Sequence, residues 1–328
     1  MIKHGNKILL VATMLLFALS CTDEVDDDVD DGNWIRKSSF EGVGRSGAVA
    51  FVVGDKAYVG LGYDGDDYLV DFWSYDPDQN FWQRVADFPG EGRTSAVAFS
   101  IGNKGYVGTG YDGIYKLKDF WEYNASTNSW QQIQDFGGSA RINSIAFSAN
   151  DKGYVGTGYD GNYLKDFWEY DPSTGNWEQI VSLKGEKRES GLAMTIDGQV
   201  FVGTGTNNGL YETDFWQFDP SNIDWIEKTE LDDDDDYEII RSNAVSFSVG
   251  EYGYTVTGSY SSNLTTTWQY DPGLDTWSEK TSFEGSAREE AVAFTVKGRA
   301  YVALGKNGSS RYDDIWEFDP IQELDEDD

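Results

Sequence analysis

Short runs rich in β-branched and aromatic residues alternate with clusters of Gly, Asn, Asp and Ser along most of this chain. Residues 93–99, 105–110, 119–123 and 130–133 are four successive runs of this kind. Runs of this length and composition favour β-strands, and no stretch has the 3.6-residue period of a helix. The pattern therefore predicts an all-β protein that is built from short antiparallel strands.

The strand pattern recurs as six units. The twelve tryptophans form two series in which successive members lie 47 or 48 residues apart, except for one step of 52 in each series. One arginine per unit follows the first series by 11 residues in five units and by 16 in the other. The series are Trp34, Trp82, Trp130, Trp177, Trp225, Trp277; Trp73, Trp121, Trp168, Trp216, Trp268, Trp316; and Arg45, Arg93, Arg141, Arg188, Arg241, Arg288. Four strands in a unit of this length predict one propeller blade.

Each unit also resembles a kelch motif, with a strand ending in glycine, a spaced Tyr, and a Trp six residues after an Asn/Asp-Pro turn. The resemblance covers residues 33–322 and implies a six-bladed β-propeller with four antiparallel strands per blade. The usual adjacent glycine pair is here Gly-X-Gly, as in Gly108 and Gly110. Val256 and Ala303 replace the first glycine in units five and six, which predicts that those two blades are the least regular.

The two ends of the repeat region predict how the ring closes. The strand at Trp34 has no preceding partner in its own unit, and the last unit ends at residues 316–320 without a fourth strand. We therefore expect the N-terminal strand to complete the blade of Trp316. Such closure removes the unpaired strand edges of an open ring.

The first 32 residues predict export and anchoring. Lys3 and Lys7 precede an apolar run over residues 8–19 that is too short to span a bilayer, which indicates a signal peptide over residues 1–20. Residues 18–21 resemble a bacterial lipobox ending at Cys21, the only cysteine, and an acidic tether follows over residues 21–32. We expect Cys21 to be lipidated and to anchor the protein to the bacterial outer membrane, at the cell surface. An ordinary signal peptide with an incidental cysteine is the alternative.

Charge and composition narrow the possible chemistry. The chain has 25 basic and 58 acidic residues, a net charge of −33 that argues against nucleic acid as a partner. The only histidine, His4, lies in the predicted signal peptide. Catalysis by Ser-His-Asp or Cys-His groups and His/Cys zinc sites are therefore excluded from the mature protein. We expect no metal and no cofactor. Galactose oxidase activity, which occurs on a kelch-type propeller, would need copper-binding histidines that this chain lacks.

Two acidic stretches have simple interpretations. The run over residues 232–236 contains enough carboxylates to attract calcium, but its spacing matches no EF-hand loop, and a solvated acidic loop is the favoured interpretation. The acidic tail over residues 323–328 is likewise expected to be solvated. The favoured function is binding of a glycan or a protein ligand, with no catalytic residue assigned. The alternative is a carbohydrate-active enzyme that uses carboxylate, Arg or Tyr chemistry, in glycoside processing or in a reaction similar to that of the sialic acid mutarotase found among kelch propellers.

Antiparallel pairing brings the arginines, the Tyr-Asp-Gly loops and the Asp before each Phe-Trp to one mouth of the ring. We predict a ligand patch there that consists of Arg45, Arg93, Arg141, Tyr63, Asp64, Tyr111, Asp112, Tyr159 and Asp160. Guanidinium groups suit bidentate binding of anions, and tyrosines suit stacking on sugar rings. Two structural alternatives remain open. The arginines are possible braces between neighbouring blades, through Asp71, Asp119, Asp166, Asp214 and Asp314. The Tyr-Asp-Gly segments are possible simple turns.

Overall fold

The computed structural model of the protein describes residues 31–232 and 239–324. In these residues, thirty strands form six four-stranded antiparallel sheets and three two-stranded hairpins, and there is no helix. The all-β, six-bladed architecture predicted from the repeats is confirmed. The predicted signal peptide, Cys21, most of the acidic tether, residues 233–236 of the acidic run and the last four residues of the tail lie outside the described residues.

Each blade is one four-stranded sheet, and in blades one to five the strands run in chain order from the inside of the ring outwards. The strand β1 (Asp31–Arg36) belongs to the sixth blade. Blade one consists of β2 (Val49–Val53), β3 (Lys56–Gly60), β4 (Phe72–Asp76) and β5 (Phe81–Arg84); blade two of β6 (Val97–Ile101), β7 (Lys104–Gly108), β8 (Phe120–Asn124) and β9 (Ser129–Gln132); and blade three of β10 (Ile145–Ala149), β11 (Lys152–Gly156), β12 (Phe167–Asp171) and β13 (Asn176–Ile180).

Blades four to six each contain an additional small hairpin between their second and third long strands. Blade four consists of β14 (Leu192–Ile196), β15 (Gln199–Gly203), β18 (Phe215–Asp219) and β19 (Asp224–Glu227), with the hairpin β16 (Thr206–Asn207) and β17 (Leu210–Tyr211). Blade five consists of β20 (Val245–Val249), β21 (Tyr252–Val256), β24 (Thr267–Asp271) and β25 (Thr276–Lys280), with β22 (Ser259–Tyr260) and β23 (Ser262–Asn263). Blade six consists of β26 (Val292–Val296), β27 (Arg299–Ala303), β30 (Ile315–Glu323) and β1, with β28 (Lys306–Asn307) and β29 (Ser310–Arg311).

The innermost strands alternate between two environments. In β6, Val97 and Phe99 are buried, whereas Ala98 and Ser100 line the central channel. The buried side chains pack between neighbouring blades: one core cluster contains Phe51 of blade one together with Tyr123 of blade two. Each innermost strand contacts the next one, and β26 contacts β2, which completes the circle. Alternation with a period of two therefore gives the propeller both its core and its channel.

The ring closes as the unpaired terminal strands predict. Strand β1 pairs antiparallel with β30, and Trp34 lies opposite Phe318. The side chain of Trp34 is fully buried, and its Nε1 donates a hydrogen bond of 3.1 Å to the carbonyl oxygen of Thr281. The N-terminal strand is thus the outer strand of blade six.

A glycine faces a phenylalanine in four blades. Gly108 lies opposite Phe120, and a Cβ on Gly108 would lie only 2.1 Å from the Phe120 ring. In blades five and six, Val256 faces Thr267 and Ala303 faces Ile315. Their second strands have five residues, as in the other blades. The expected irregularity of these blades is absent from their sheets, because a smaller facing side chain leaves room where the glycine is lost.

Candidate functional site

The long loops all lie on one side of the ring. In blade one, residues 61–71 connect β3 to β4, and the segment with Arg45 precedes β2. The turns on the other side are short, with residues 54–55 between β2 and β3 and residues 77–80 between β4 and β5. We call the first side the loop face and the second the far face. The loop face contains all of the predicted ligand residues.

Each arginine of the repeat series is enclosed by its own blade. In blade two, Arg93 Nε donates to the carbonyl oxygen of Glu91 at 2.9 Å, and Nη1 donates to that of Thr109 at 3.0 Å. Nη1 and Nη2 also donate to the two oxygens of Asp119 at 2.6 and 2.8 Å. Trp121 Nε1 completes the arrangement with a bond of 2.8 Å to Asp119. Arginine, aspartate and tryptophan thus form one hydrogen-bonded group.

The same group occurs in five blades. The ion pairs are Arg45–Asp71, Arg93–Asp119, Arg141–Asp166, Arg188–Asp214 and Arg288–Asp314. In blade five, Arg241 instead donates to the carbonyl oxygen and the hydroxyl of Thr266 at 3.0 and 2.9 Å. Burial lowers the pKa of Arg241 to about 10, against the opposing charge of Glu279. Burial alone would raise the pKa of Asp119, but its hydrogen bonds and charge interaction with Arg93 hold that pKa below its ordinary value.

The structure places the predicted arginines beneath the loop face. The side chains of Arg45 and Arg93 are fully buried, and Arg141 is 1% exposed. The pairing with aspartates is present, but each ion pair joins two segments of one blade and does not join neighbouring blades. The arginine segment contacts the neighbouring blade through its backbone, since the carbonyl oxygen of Arg93 accepts a bond of 2.7 Å from the amide of Gly62. The arginines therefore hold the loops in place and offer no surface to a ligand.

The Tyr-Asp-Gly segments form compact turns. Tyr63 and Tyr111 donate their hydroxyl hydrogens to the carbonyl oxygens of Gly65 and Gly113 at 2.5 and 2.8 Å. Asp64, Asp112 and Asp160 each accept backbone amide hydrogens two or three residues ahead. The amide of Asp67 is the largest influence that holds the pKa of Asp64 below its ordinary value. The aspartates thus behave as residues of simple turns, because their Oδ1 atoms accept hydrogen bonds from backbone amides of their own loops.

The tyrosine rings themselves are half-buried and lie along the edge of the loop face. Tyr63 packs against Tyr68 with ring centroids 4.8 Å apart, and Tyr68 lies 6.0 Å from Tyr111. Tyr159 packs against Tyr163 at 5.2 Å. We call these five residues the tyrosine rim. It extends over blades one to three, where the ligand patch was predicted, and it includes Tyr68 and Tyr163, which the sequence interpretation did not single out.

A closed ring of backbone hydrogen bonds surrounds the channel entrance on the loop face. The amide of each member donates to the carbonyl oxygen of the member in a neighbouring blade, at 2.9 to 3.2 Å. All members have a φ between 53° and 62°. Gly47 occupies this left-handed position without strain, whereas the other five carry side chains there. The members, which we call the mouth ring, are Gly47, Ser95, Asn143, Ser190, Asn243 and Glu290.

The sequence contains a Kelch motif that matches residues 154–184. Together with the six four-stranded sheets, this decides the classification. The chain is a six-bladed propeller that contains a kelch motif in its third blade. The propeller is similar to a solved structure described as "Structure of YjhT", with a TM-score of 0.73 and 16% sequence identity over 84% of this chain and 95% of that one. This likeness concerns the fold alone. No curated protein matches the sequence.

Polar side chains gather on one half of the kelch propeller's mouth ring. Asn143 Nδ2 donates to Glu189 Oε2 at 3.0 Å, and Asn243 Nδ2 donates to Glu289 Oε2 at 3.3 Å. Glu290 accepts a bond of 2.6 Å from Lys306. These groups come from blades three to six, whereas blades one and two contribute only Gly47 and Ser95 to the ring. The residues one and two positions after each repeat arginine differ between blades in whether they are small or polar. This difference is visible in the sequence, but the sequence interpretation did not use it.

The mouth ring lines a cavity of about 130 Å³ at the entrance of the channel. A second cavity of about 380 Å³ lies towards the far face and is lined by small and hydroxyl-bearing residues such as Ser100, Ser148 and Thr195. Among residues 31–232 and 239–324, no group of three or more His, Cys, Asp or Glu side chains is arranged to hold a metal ion. The same residues include no helix that is long and apolar enough to cross a membrane.

Proposed function

We propose that this kelch propeller is a binding protein that recognises a glycan on its loop face. In this proposal the protein is exported and anchored through Cys21 to the outer membrane of a bacterium, with the loop face directed towards ligands at the cell surface. Fold alone does not assign a function to a propeller. The proposal therefore depends on the side chains of the loop face.

The observation that carries the proposal is that the tyrosine rim and the polar mouth ring lie on the same face of the propeller. Sugar rings present apolar faces that stack on aromatic side chains, while their hydroxyl groups need hydrogen-bonding partners close by. Tyr63, Tyr68 and Tyr111 form a continuous aromatic row on the loop face. Asn143 and Asn243 line the entrance cavity. Aromatic and hydrogen-bonding groups thus occur on the same face.

Glu212 supports a second candidate function, a carbohydrate-active enzyme of carboxylate chemistry. Burial raises the pKa of Glu212, and the charge of Arg188 opposes this shift while that of Asp214 adds to it. A carboxyl group with a raised pKa is suited to general acid catalysis, because it keeps its proton at a higher pH than an ordinary carboxyl group does. Incubation of each bound glycan with the protein, followed by product analysis, tests this function. Turnover that is lost in the Glu212→Gln variant would establish the enzyme.

A glycan array with the purified protein tests the binding function. The variant with Tyr63, Tyr111 and Tyr159 all changed to Ala should bind an array hit more than about tenfold less tightly, because stacking contacts contribute about 1 kcal/mol each. The corresponding Phe variant should retain binding, since it keeps the aromatic faces. Tyr252→Ala is a matched control, because Tyr252 is exposed beside a turn of the far face. Undiminished binding by a folded triple Ala variant, or the absence of any glycan ligand, would refute the proposal.

A further inference from the structure

The cationic side chains at the mouth ring, which would bind the carboxylate of an acidic sugar, already have partners within the protein. Guanidinium groups are the usual partners of sugar carboxylates. The repeat arginines are buried and donate their hydrogen bonds within their own blades. At the mouth ring, Lys306 is paired with Glu290. Arg311 and Lys116 lie at the tyrosine rim instead, over the rings of Tyr63 and Tyr159. The cation beside the mouth ring is thus already paired with a carboxylate.

Two asparagines of the mouth ring have a defined orientation. A carboxylate only accepts hydrogen bonds, so each Asn must direct its NH₂ group towards the paired Glu. The Asn143–Glu189 and Asn243–Glu289 pairs repeat this arrangement two blades apart. Among the described residues, none donates a hydrogen bond to the Oδ1 atom of either asparagine. Both amides therefore have acceptor oxygens left for a partner in the cavity that they line.

The entrance cavity consequently has acceptors on its polar half. Glu290 lines the cavity together with the two asparagines, and the half-buried carboxylates of Glu189 and Glu289 are hydrogen-bonded to the asparagine amides. Lys306 lies 2.6 Å from Glu290 and 3.8 Å from Glu289. An ammonium group has three donors, no acceptor and a positive charge, and so it complements this set. A sugar carboxylate in this cavity would meet the like charges of the glutamates. The opposite half of the entrance is formed by the small residues Gly47 and Ser95, from blades one and two, whose loops also contain part of the tyrosine rim.

From these contacts we infer that the mouth ring binds the ammonium group of an amino sugar, while the tyrosine rim stacks on the sugar ring. This inference rests on the proposed glycan binding and names its ligand class. It predicts discrimination between sugars that differ only in one substituent. N-acetylation removes the charge and two donors, and a carboxylate reverses the charge.

Calorimetric titration with three tetrasaccharides tests the inference: a glucosamine tetramer, its fully N-acetylated counterpart and a galacturonate tetramer. The glucosamine tetramer should bind about tenfold more tightly than the N-acetylated one, as expected for a charge-assisted hydrogen bond. The galacturonate tetramer should bind most weakly, and added salt should reduce these differences. Tightest binding of the galacturonate or of the N-acetylated tetramer would overturn the amino-sugar assignment and leave glycan binding intact.

The variant Glu290→Gln tests whether the preference for glucosamine over galacturonate depends on the mouth ring. This variant keeps the side-chain shape but leaves Lys306 without its closest anionic partner, so the preference for glucosamine over galacturonate should fall about tenfold. Glu178→Gln is the matched control, since Glu178 is exposed on the outer strand β13. An unchanged preference in folded Glu290→Gln would overturn the inference. Binding of a lysine tetrapeptide, with no binding of any sugar, would overturn both the inference and the proposed glycan function.

Discussion

The buried arginines are stable in this protein because each of them donates at least four hydrogen bonds. Arg141 is 1% exposed, yet it bonds to the carbonyl oxygens of Ser139 and Thr157 and to both oxygens of Asp166. A buried charge is costly when it loses its partner, and the loss is larger than the net stability of the intact pair. These side chains therefore determine the stability of the loop face without taking part in its surface chemistry.

Asp166→Asn should lower the free energy of unfolding by about 3 kcal/mol, because it leaves the Arg141 guanidinium buried without its counter-charge. Denaturant titration monitored by tryptophan fluorescence measures this change. Asp171→Asn is the control: Asp171 is partly exposed and 3.8 Å from Lys152, so its loss should cost much less than the loss of Asp166. Equal effects of the two substitutions would contradict the structural role assigned to the arginine pairs.

The same pairs predict how stability depends on pH. Burial raises the pKa of Asp71, Asp166 and Asp314, but their arginine partners lower it further, so that each folded-state pKa lies below the ordinary value. A depressed pKa stabilises the folded state above the unfolded pKa of about 3.9, and this stability is lost as the pH falls through the folded pKa. Unfolding free energy should therefore fall steeply below about pH 4. A protein whose stability in denaturant is constant from pH 5 to pH 3 would contradict this.

Residues that face each other on the second and third long strands of a blade are matched in size. Gly108 permits the Phe120 ring to lie over the second strand, and Ala303 in blade six is accommodated by the differently shaped Ile315. The sequence departs from the glycine pattern only where the facing residue also changes. Local packing thus explains why the substitutions in blades five and six preserve the sheet.

Gly108→Ala should destabilise the protein by about 2 kcal/mol, because the new Cβ overlaps the Phe120 ring and forces it to move. The double variant with Phe120→Ile reproduces the pair found in blade six. It should recover at least about 1 kcal/mol relative to the sum of the single changes, which is the coupling expected for residues in contact. A double-mutant cycle in denaturant measures this term. Additive effects would show that the two positions do not constrain each other.

Closure of the whole propeller depends on the short strand β1. It is the only N-terminal segment in the sixth blade, and Trp34 contacts Phe283 and Phe318 with ring centroids at 5.0 and 4.7 Å. Loss of this strand would expose the outer edge of β30. A ring with one open blade has an unpaired edge and a weakened contact between its first and last blades.

Trp34→Ala should lower the free energy of unfolding by about 3–5 kcal/mol, as expected for the removal of a fully buried large aromatic side chain. Hydrogen exchange should accelerate first in β30, since its partner strand is released. Trp130→Ala, at the equivalent position of blade two, is the control, because Trp130 is only half-buried and its strand is not involved in closure. Equal protection of β30 in both variants would show that β1 does not hold the ring closed.

The sequence alone determined the number of blades, the strand order and the closure by Trp34, because these properties follow from local periodicity and from counting units. It also placed the arginines, the tyrosines and the partner aspartates on one face, since antiparallel strands return to the same edge. The opposed pairs of Gly108 with Phe120 and Ala303 with Ile315 were not predicted, because cross-strand register is decided by the fold.

Only the tertiary structure decided which side chains on the loop face are exposed. Arg45, Arg93 and Arg141 turn inwards because the carbonyl oxygens that satisfy them lie 16 residues ahead, across the loop of the same blade. The Asn143–Glu189 and Asn243–Glu289 contacts join residues 46 positions apart, in neighbouring blades. Periodicity places a residue on a face, but the direction of its side chain depends on the donors and acceptors that the neighbouring segments bring next to it.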